Sequence, residues 1–67
     1  MPQTSEKQQQ RLLTPRDVAT FVGVPEPTLA QWRYLRTGPA FIKVGKHVRY
    51  RATDVEAWLS AHTVRPT

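Results

Sequence analysis

The sequence predicts a small α+β fold that is mainly α, built from a two-helix corner, a two-stranded hairpin and a C-terminal helix. Three observations support this prediction. Apolar residues recur at helical spacing on both sides of Gly23. Alternating apolar and basic residues flank a Gly45-Lys46 turn. A further apolar stripe with helical spacing follows between Ala52 and Ala61. The 67 residues can hold one domain at most.

The first helix is predicted over Pro15–Val22, because its start carries strong local signals. Thr14 is suited to be the N-cap, and Asp17 lies where it can complete a capping-box-like pair with Thr14. Proline is favoured at the first helical position. Leu13 and Val18 have the spacing of a hydrophobic staple across this cap.

The second helix is predicted to begin near Pro25, since prolines are tolerated in a first turn. Gly23 can take the left-handed conformation that ends the first helix before it. The second helix should stop by Arg36 or Thr37, because the dipeptide Gly38–Pro39 is a stop signal. These two helices, joined by a short turn, have the pattern of a helix-turn-helix unit.

One face of the second helix is predicted to be free. At 100° per residue, Leu29 and Trp32 share the inward face. The opposite face, which is available to a DNA groove, carries Pro27, Ala30, Gln31 and Tyr34.

The hairpin should form a basic wing. Its apolar face is expected to lie on the helices and to carry Ile42, Val44, Val48 and Tyr50. The opposite face is expected to carry the basic residues Lys43, His47 and Arg49, with Lys46 at the tip.

The final helix is predicted between Ala52 and Ala61, started by a capping box of Thr53 and Glu56. Trp32 and Trp58 lie in the apolar stripes of their helices, so we assign them to the core in preference to base stacking. The predicted core consists of Val18, Ala19, Val22, Leu29, Trp32, Val48, Tyr50, Val55, Trp58 and Leu59.

The charge distribution favours a polyanionic partner. Ten Lys and Arg against five Asp and Glu give a net charge of +5. Between Pro27 and Thr53 the chain carries six basic and no acidic residues. The alternative is an ordinary solvated basic surface. Because the basic stretch overlaps and follows a helix-turn-helix pattern, we favour double-stranded DNA.

Other function classes have little support. The chain has no cysteine, hence no disulfide and no thiolate metal site. Its two histidines, His47 and His62, have no metal-ligand spacing, and no glycine-rich phosphate loop is present. We therefore predict no catalysis, no cofactor and no metal. No apolar run could span a membrane and no secretory signal is visible, so we expect an intracellular protein.

The predicted organisation has three parts. The polar residues 1–10 are expected to form a disordered arm, residues 11–61 the domain, and residues 62–67 a flexible tail.

Five stretches resemble the excisionase family of winged-helix DNA-binding domains, which is related to the MerR regulators. The stretches are Leu12–Ala19, Gly23–Val24, Thr28–Arg33, Ile42–Tyr50 and Asp54–Leu59. Members similar to this chain include phage and plasmid excisionases, which are recombination directionality factors. The resemblance implies a second helix in the major groove, a wing on the minor groove or its phosphates, and several copies side by side on bent DNA. It also implies a phage-type integrase as partner and a cytoplasmic location on bacterial nucleoid DNA.

The resemblance places Pro27, Gln31 and Tyr34 at base- or phosphate-facing positions and Lys46 at the wing tip. Pro27 departs from the polar or charged residue that members often carry there. Gln31 can pair with adenine, while Tyr34 can reach a phosphate or a thymine methyl. Thr28 is a candidate for a phosphate bond or for helix capping. The predicted phosphate and wing contacts are Arg16, Arg33, Arg36, Lys43, Lys46, His47, Arg49 and Arg51.

Three functions remain open on the sequence: a DNA-bending excisionase, a small MerR-like transcriptional regulator, and a protein-interaction adaptor with a basic surface. The lack of an effector or dimerisation domain in this sequence favours the excisionase over the regulator. An adaptor predicts only weak, sequence-blind DNA binding.

Overall fold

The computed structural model describes residues 12–66. The elements follow one another as β1 (Leu12–Leu13), α1 (Pro15–Val22), α2 (Glu26–Tyr34), β2 (Ile42–Val44), β3 (His47–Arg51) and α3 (Ala52–Ala61). The predicted α+β class, mainly helical, is confirmed. The arm predicted at residues 1–10 falls outside the described range.

Helix α1 forms where the local signals predict it. The Thr14 Oγ1 accepts a hydrogen bond from the Asp17 N–H at 3.0 Å, and the Asp17 carboxylate accepts one from the Thr14 N–H at 3.1 Å. This reciprocal pair is a capping box. At the other end, Gly23 has φ 87° and its N–H donates to the Ala19 carbonyl at 2.8 Å. Both predicted ends of α1 are therefore confirmed.

Helix α2 ends at Tyr34, two to three residues before the stop that the sequence predicts. The Thr37 N–H donates to the Trp32 carbonyl at 2.8 Å, and the Arg36 N–H donates to the Arg33 carbonyl at 3.2 Å. This nested pair of bonds closes many helix C-termini, and it requires a left-handed residue just past the cap. Arg36 occupies that position with φ 61°, where glycine is usual.

Helices α2 and α3 begin without a side-chain cap. Their N-cap residues are Pro25 and Arg51, and neither accepts a hydrogen bond through its side chain. The predicted capping box of Thr53 and Glu56 is therefore wrong. Helix α3 already begins at Ala52, which leaves Thr53 inside the first turn instead of before it.

The sheet contains a strand that the sequence did not predict. The strand order is β1-β3-β2, and both pairings are antiparallel. Strand β1 pairs Leu12 with Arg51 and Leu13 with Tyr50. Two residues are too few to show an alternating pattern, so this strand is created by the tertiary contact alone.

The predicted division of the hairpin into an apolar and a basic face is wrong. A two-residue turn, with φ 62° at Gly45, pairs Val44 with His47. Directly paired residues share a face of the sheet. The remaining pairs are Ile42 with Arg49 and Lys43 with Val48. One face therefore mixes Ile42, Val44, His47 and Arg49, and the other mixes Lys43, Val48 and Tyr50.

The core lies where α1, α2, β3 and α3 meet. Its buried residues are Val18, Ala19, Leu29, Tyr50 and Val55, all from the predicted core set. The other predicted core residues, all partly buried, are Val22, Trp32, Val48, Trp58 and Leu59. Trp58 is held by an aromatic contact with Trp32, whose ring centroid lies 5.2 Å away. So small a core depends on these half-covered rings.

Candidate nucleic-acid interface

The outward face of α2 is open to solvent. Leu29 is fully buried and thereby fixes the rotation of the helix about its axis. Tyr34 is 85% exposed. The other exposed residues of this face are Pro27, Ala30 and Gln31. The face selected by helical spacing is thus accessible to a ligand along the length of α2.

Two further residues of α2 were predicted to contact DNA. Thr28 and Arg33 are both half-buried. The Arg33 Nη1 donates a hydrogen bond to the Tyr50 hydroxyl at 2.8 Å. Its guanidinium carbon lies 6.0 Å from the centroid of the Phe41 ring, within the range of a cation–π contact. Arg33 is therefore held in an intramolecular cluster, in which the Phe41 and Tyr50 rings are 6.3 Å apart.

Sequence reasoning did not single out Phe41, and it treated Tyr50 only as core. The available signal was that residue 50, at a buried strand position, is a tyrosine and not a phenylalanine. A buried hydroxyl requires a hydrogen-bond partner, so such a tyrosine predicts a nearby donor or acceptor.

The basic residues of the hairpin differ in their exposure and in their side-chain hydrogen bonds. Lys43, Lys46 and His47 are exposed, and Lys46 lies in the turn between the strands. Arg49 is half-buried and donates from its Nη1 to the Val48 carbonyl at 2.7 Å. These contacts leave the tip of the hairpin more available than its base.

Within the described range, five of the predicted phosphate and wing contacts have a side chain with no hydrogen bond or ion pair inside the protein. They are Arg16, Arg36, Lys43, Lys46 and His47, and all are exposed. Arg51, by contrast, pairs with Asp54 at 3.6 Å. Uncompensated cations on exposed side chains are the groups that release counterions from DNA.

The two tryptophans pack on other side chains. The Trp58 ring lies 5.2 Å from Trp32 and 4.5 Å from His62, measured between centroids. Gly38 lies so close to Trp32 that a Cβ on this glycine would be 2.9 Å from the Trp32 Cε3. Neither ring is presented as an open platform for stacking with bases.

The end of α3 continues into the predicted tail. The His62 N–H donates to the Trp58 carbonyl at 3.1 Å, and the Thr63 hydroxyl donates to the Leu59 carbonyl at 3.0 Å. Residues 62 and 63 are therefore attached to the last turn of α3.

A second surface feature lies away from α2 and the hairpin tip. It is a cleft of about 120 Å³ whose walls come from β1, α1 and α3. The lining residues are Leu13, Phe21, Ala52, Val55 and Glu56. Phe21 is 62% exposed beside it. The cleft is mainly apolar and provides a reference surface whose lining carries none of the free cations.

Over residues 12–66, no cluster of three or more metal-ligating side chains is present. In the same part of the chain, no helix is long and apolar enough to cross a membrane.

A helical corner with an exposed second helix, followed by a β-hairpin and a closing helix, defines a winged helix-turn-helix domain. Comparison with protein families gives the same result, since the model of the helix-turn-helix domain matches residues 12–63. The chain belongs to this helix-turn-helix domain family, and that membership supports sequence-specific binding to double-stranded DNA. A search of curated proteins found no match to the chain.

Proposed function

We propose that the chain binds duplex DNA with α2 in the major groove and the hairpin on the adjacent backbone or minor groove. We further propose that it acts as an excisionase-type factor, which bends attachment-site DNA and directs a phage-type integrase toward excision. The observation that carries the proposal is the exposed face of α2, containing Gln31 and Tyr34, within a stretch that has no acidic residue from Pro27 to Thr53.

The dimensions of α2 suit a major groove. Nine residues give a helix about 13 Å long, and a helix about 10–12 Å in diameter fits a groove about 12 Å wide. The Gln31 amide can donate to adenine N7 and accept from N6. Tyr34 supplies a hydroxyl for a phosphate or a ring edge for a thymine methyl, and Thr28 adds a hydroxyl in the first turn.

The free cations supply the affinity. Lys46, at the hairpin tip, is the candidate for entering a minor groove, where a narrow A-T tract has a strong negative potential. Lys43, Arg36 and Arg16 are candidates for backbone phosphates. His47 and Arg49 are further candidates, on the opposite face of the hairpin from Lys43. Four neutralised phosphates correspond to a slope of log affinity against log salt of about −3.6, and five to about −4.5.

The small number of base pairs that one α2 can contact favours an architectural role. One α2 face contacts about one half-site, and each correct base pair contributes about 1–3 kcal/mol to discrimination between sequences. Useful specificity therefore requires several copies placed side by side on the DNA. The resemblance of five sequence stretches to excisionases supports the same arrangement, together with a phage-type integrase as partner. Such a protein acts on nucleoid DNA in a bacterial cell.

The test begins with selection from a random duplex library, because the target sequence need not be chosen in advance. The enriched duplex is then titrated in a mobility-shift assay, and bending is measured by placing the site at different positions along a fragment. We expect a ladder of complexes and position-dependent mobility. If a phage-type integrase is encoded beside this protein, an excision assay with that integrase should show stimulation by the protein.

Other outcomes would support the competing functions. Tight binding of one operator, without a ladder and without any effect on excision, would indicate a transcriptional regulator. Weak binding with no enriched sequence would indicate an adaptor whose basic surface meets an acidic protein.

A further inference from the structure

A side-chain hydrogen bond connects the two elements that are proposed to contact DNA. Arg33 belongs to α2, and Tyr50 belongs to β3 of the hairpin, 17 positions further along the chain. Their side chains meet at 2.8 Å. Between the two elements, the covalent connection runs through residues 35–41, which include left-handed residues at Arg36 and Gly38. Besides the packing of Leu29 and Tyr50 in the common core, this hydrogen bond is a direct side-chain link between the helix and the hairpin.

The environment makes this link stronger than an ordinary surface hydrogen bond. Tyr50 is only 1% exposed, so its hydroxyl has little access to bulk water, and Arg33 satisfies it. The donor is ionised, which makes the bond about twice as strong as a neutral one. The Phe41 ring lies under the guanidinium and restricts its movement.

We infer that Arg33 is a positioning residue, which sets the angle between α2 and the hairpin so that both reach one duplex together. The inference rests on the proposed DNA-binding function and deepens it. In this role Arg33 acts through the Tyr50 hydroxyl instead of through a phosphate of its own. When α2 occupies the major groove, the link keeps Lys46 and Lys43 at the distance of the flanking phosphates.

A positioning role has a consequence for the salt dependence of binding that a purely structural role does not have. Tyr50→Phe removes one neutral hydroxyl and leaves every charge in place. If the hairpin then loses its angle, its cations lose their phosphates, although no cation has been mutated. The salt slope should become shallower by about 0.9 for each lost contact. Because 0.1 M lies one log unit of salt below the 1 M reference, log affinity at 0.1 M should fall by about 0.9 per contact, which is about eightfold.

The experiment measures duplex affinity from about 0.05 to 0.3 M salt for the wild type and Tyr50→Phe, below the melting temperature of each. Val55→Ala is the matched control, because it weakens the core from a buried position on α3 that is not part of the link. We expect Tyr50→Phe to lower the slope by about 1–2 and Val55→Ala to leave it unchanged. Arg33→Lys keeps the charge and should lower the slope as much as Tyr50→Phe does. If Tyr50→Phe does not fold, Arg33→Lys is used in its place.

A double-mutant cycle with Lys46→Ala gives an independent reading. If the link holds the hairpin on DNA, Lys46→Ala should lower duplex affinity at 0.1 M salt about eightfold in the wild type. In the Tyr50→Phe background, the same substitution should lower it about twofold or less. Additive losses would contradict the inference, as would an unchanged slope in folded Tyr50→Phe or an equal fall in Val55→Ala. Absence of salt-dependent duplex binding by the wild type would instead refute the proposed function itself.

Discussion

Replacing Arg36 by glycine is expected to stabilise the domain and, at the same time, to weaken its binding to DNA. Arg36 is the single non-glycine residue with a positive φ between residues 12 and 66. Its φ of 61° is imposed by the paired hydrogen bonds that end α2. The same residue is exposed, with a guanidinium that has no partner in the described part of the chain. The substitution therefore removes an unfavourable backbone conformation, which raises stability, and a cationic side chain, which lowers affinity for DNA.

The gain in stability follows from the backbone conformation. A left-handed residue with a Cβ costs about 1–2 kcal/mol. Glycine removes this cost but brings about 0.5–1 kcal/mol of additional chain entropy to the unfolded state. At the midpoints of the two ranges, the net increase in the free energy of unfolding is about 0.75 kcal/mol. For a domain of this size, this increase corresponds to a rise in melting temperature of about 3–6 °C.

The loss of affinity follows from the charge. One phosphate contact fewer makes the salt slope shallower by about 0.9 and reduces affinity about eightfold at 0.1 M salt. Thermal unfolding followed by circular dichroism measures the gain in stability, and fluorescence anisotropy with a labelled duplex measures the loss of affinity.

Arg36→Ala is the control that separates the two effects. It also removes the guanidinium, but alanine has a Cβ and keeps the cost of the left-handed conformation. We expect its melting temperature to stay at or below that of the wild type and its affinity to fall as much as in Arg36→Gly. A glycine variant that melts no higher than the wild type would refute the backbone argument. Unchanged affinity and slope in both variants would refute the phosphate contact.

Four further substitutions test separate parts of the fold and the interface. Gln31→Ala should relax the base preference at one position of the selected site by about 1–3 kcal/mol, with the salt slope unchanged in the same titration. Trp58→Ala should lower the free energy of unfolding in urea by about 3 kcal/mol, the low end for tryptophan because the ring is only partly buried. Gly38→Ala should lower the free energy of unfolding by about 1–3 kcal/mol, since the new Cβ would clash with the Trp32 ring. Thr14→Ala should cost about 1 kcal/mol through loss of the helix cap, measured in the same way.

The parts of the fold that depend on neighbouring residues could be predicted from the sequence. The cap of α1 joins Thr14 to Asp17, three positions apart, and Gly23 ends the same helix. The exposure of Gln31 and Tyr34 likewise follows from the helical spacing that buries Leu29. Each of these features is decided within one or two turns of helix.

The parts that depend on distant contacts could not be predicted in this way. Strand β1 forms because Leu13 pairs with Tyr50, which lies far along the chain. Periodicity within β2 and β3 suggested one apolar face, but the two-residue turn fixes a register that pairs Lys43 with Val48. Arg36 adopts a conformation that its residue type disfavours, because the bonds ending α2 impose it.

The candidate site shows the same division. Spacing identified the open face of α2, but it could not distinguish free cations from engaged ones. Arg33 and Arg49 resemble Lys46 in the sequence, although the first binds Tyr50 and the second binds the Val48 carbonyl. Only the arrangement in space reveals which charges remain for DNA.

The most direct test of the proposed docking of α2 and the hairpin on one duplex is an NMR titration of the labelled protein with a duplex selected by it. We expect the amide signals of residues 27–34 and 45–47 to shift together with one dissociation constant. Signals around Phe21 and Glu56, at the cleft between α1 and α3, should stay in place. Shifts centred on that cleft, or a hairpin that responds separately from α2, would contradict this mode of binding.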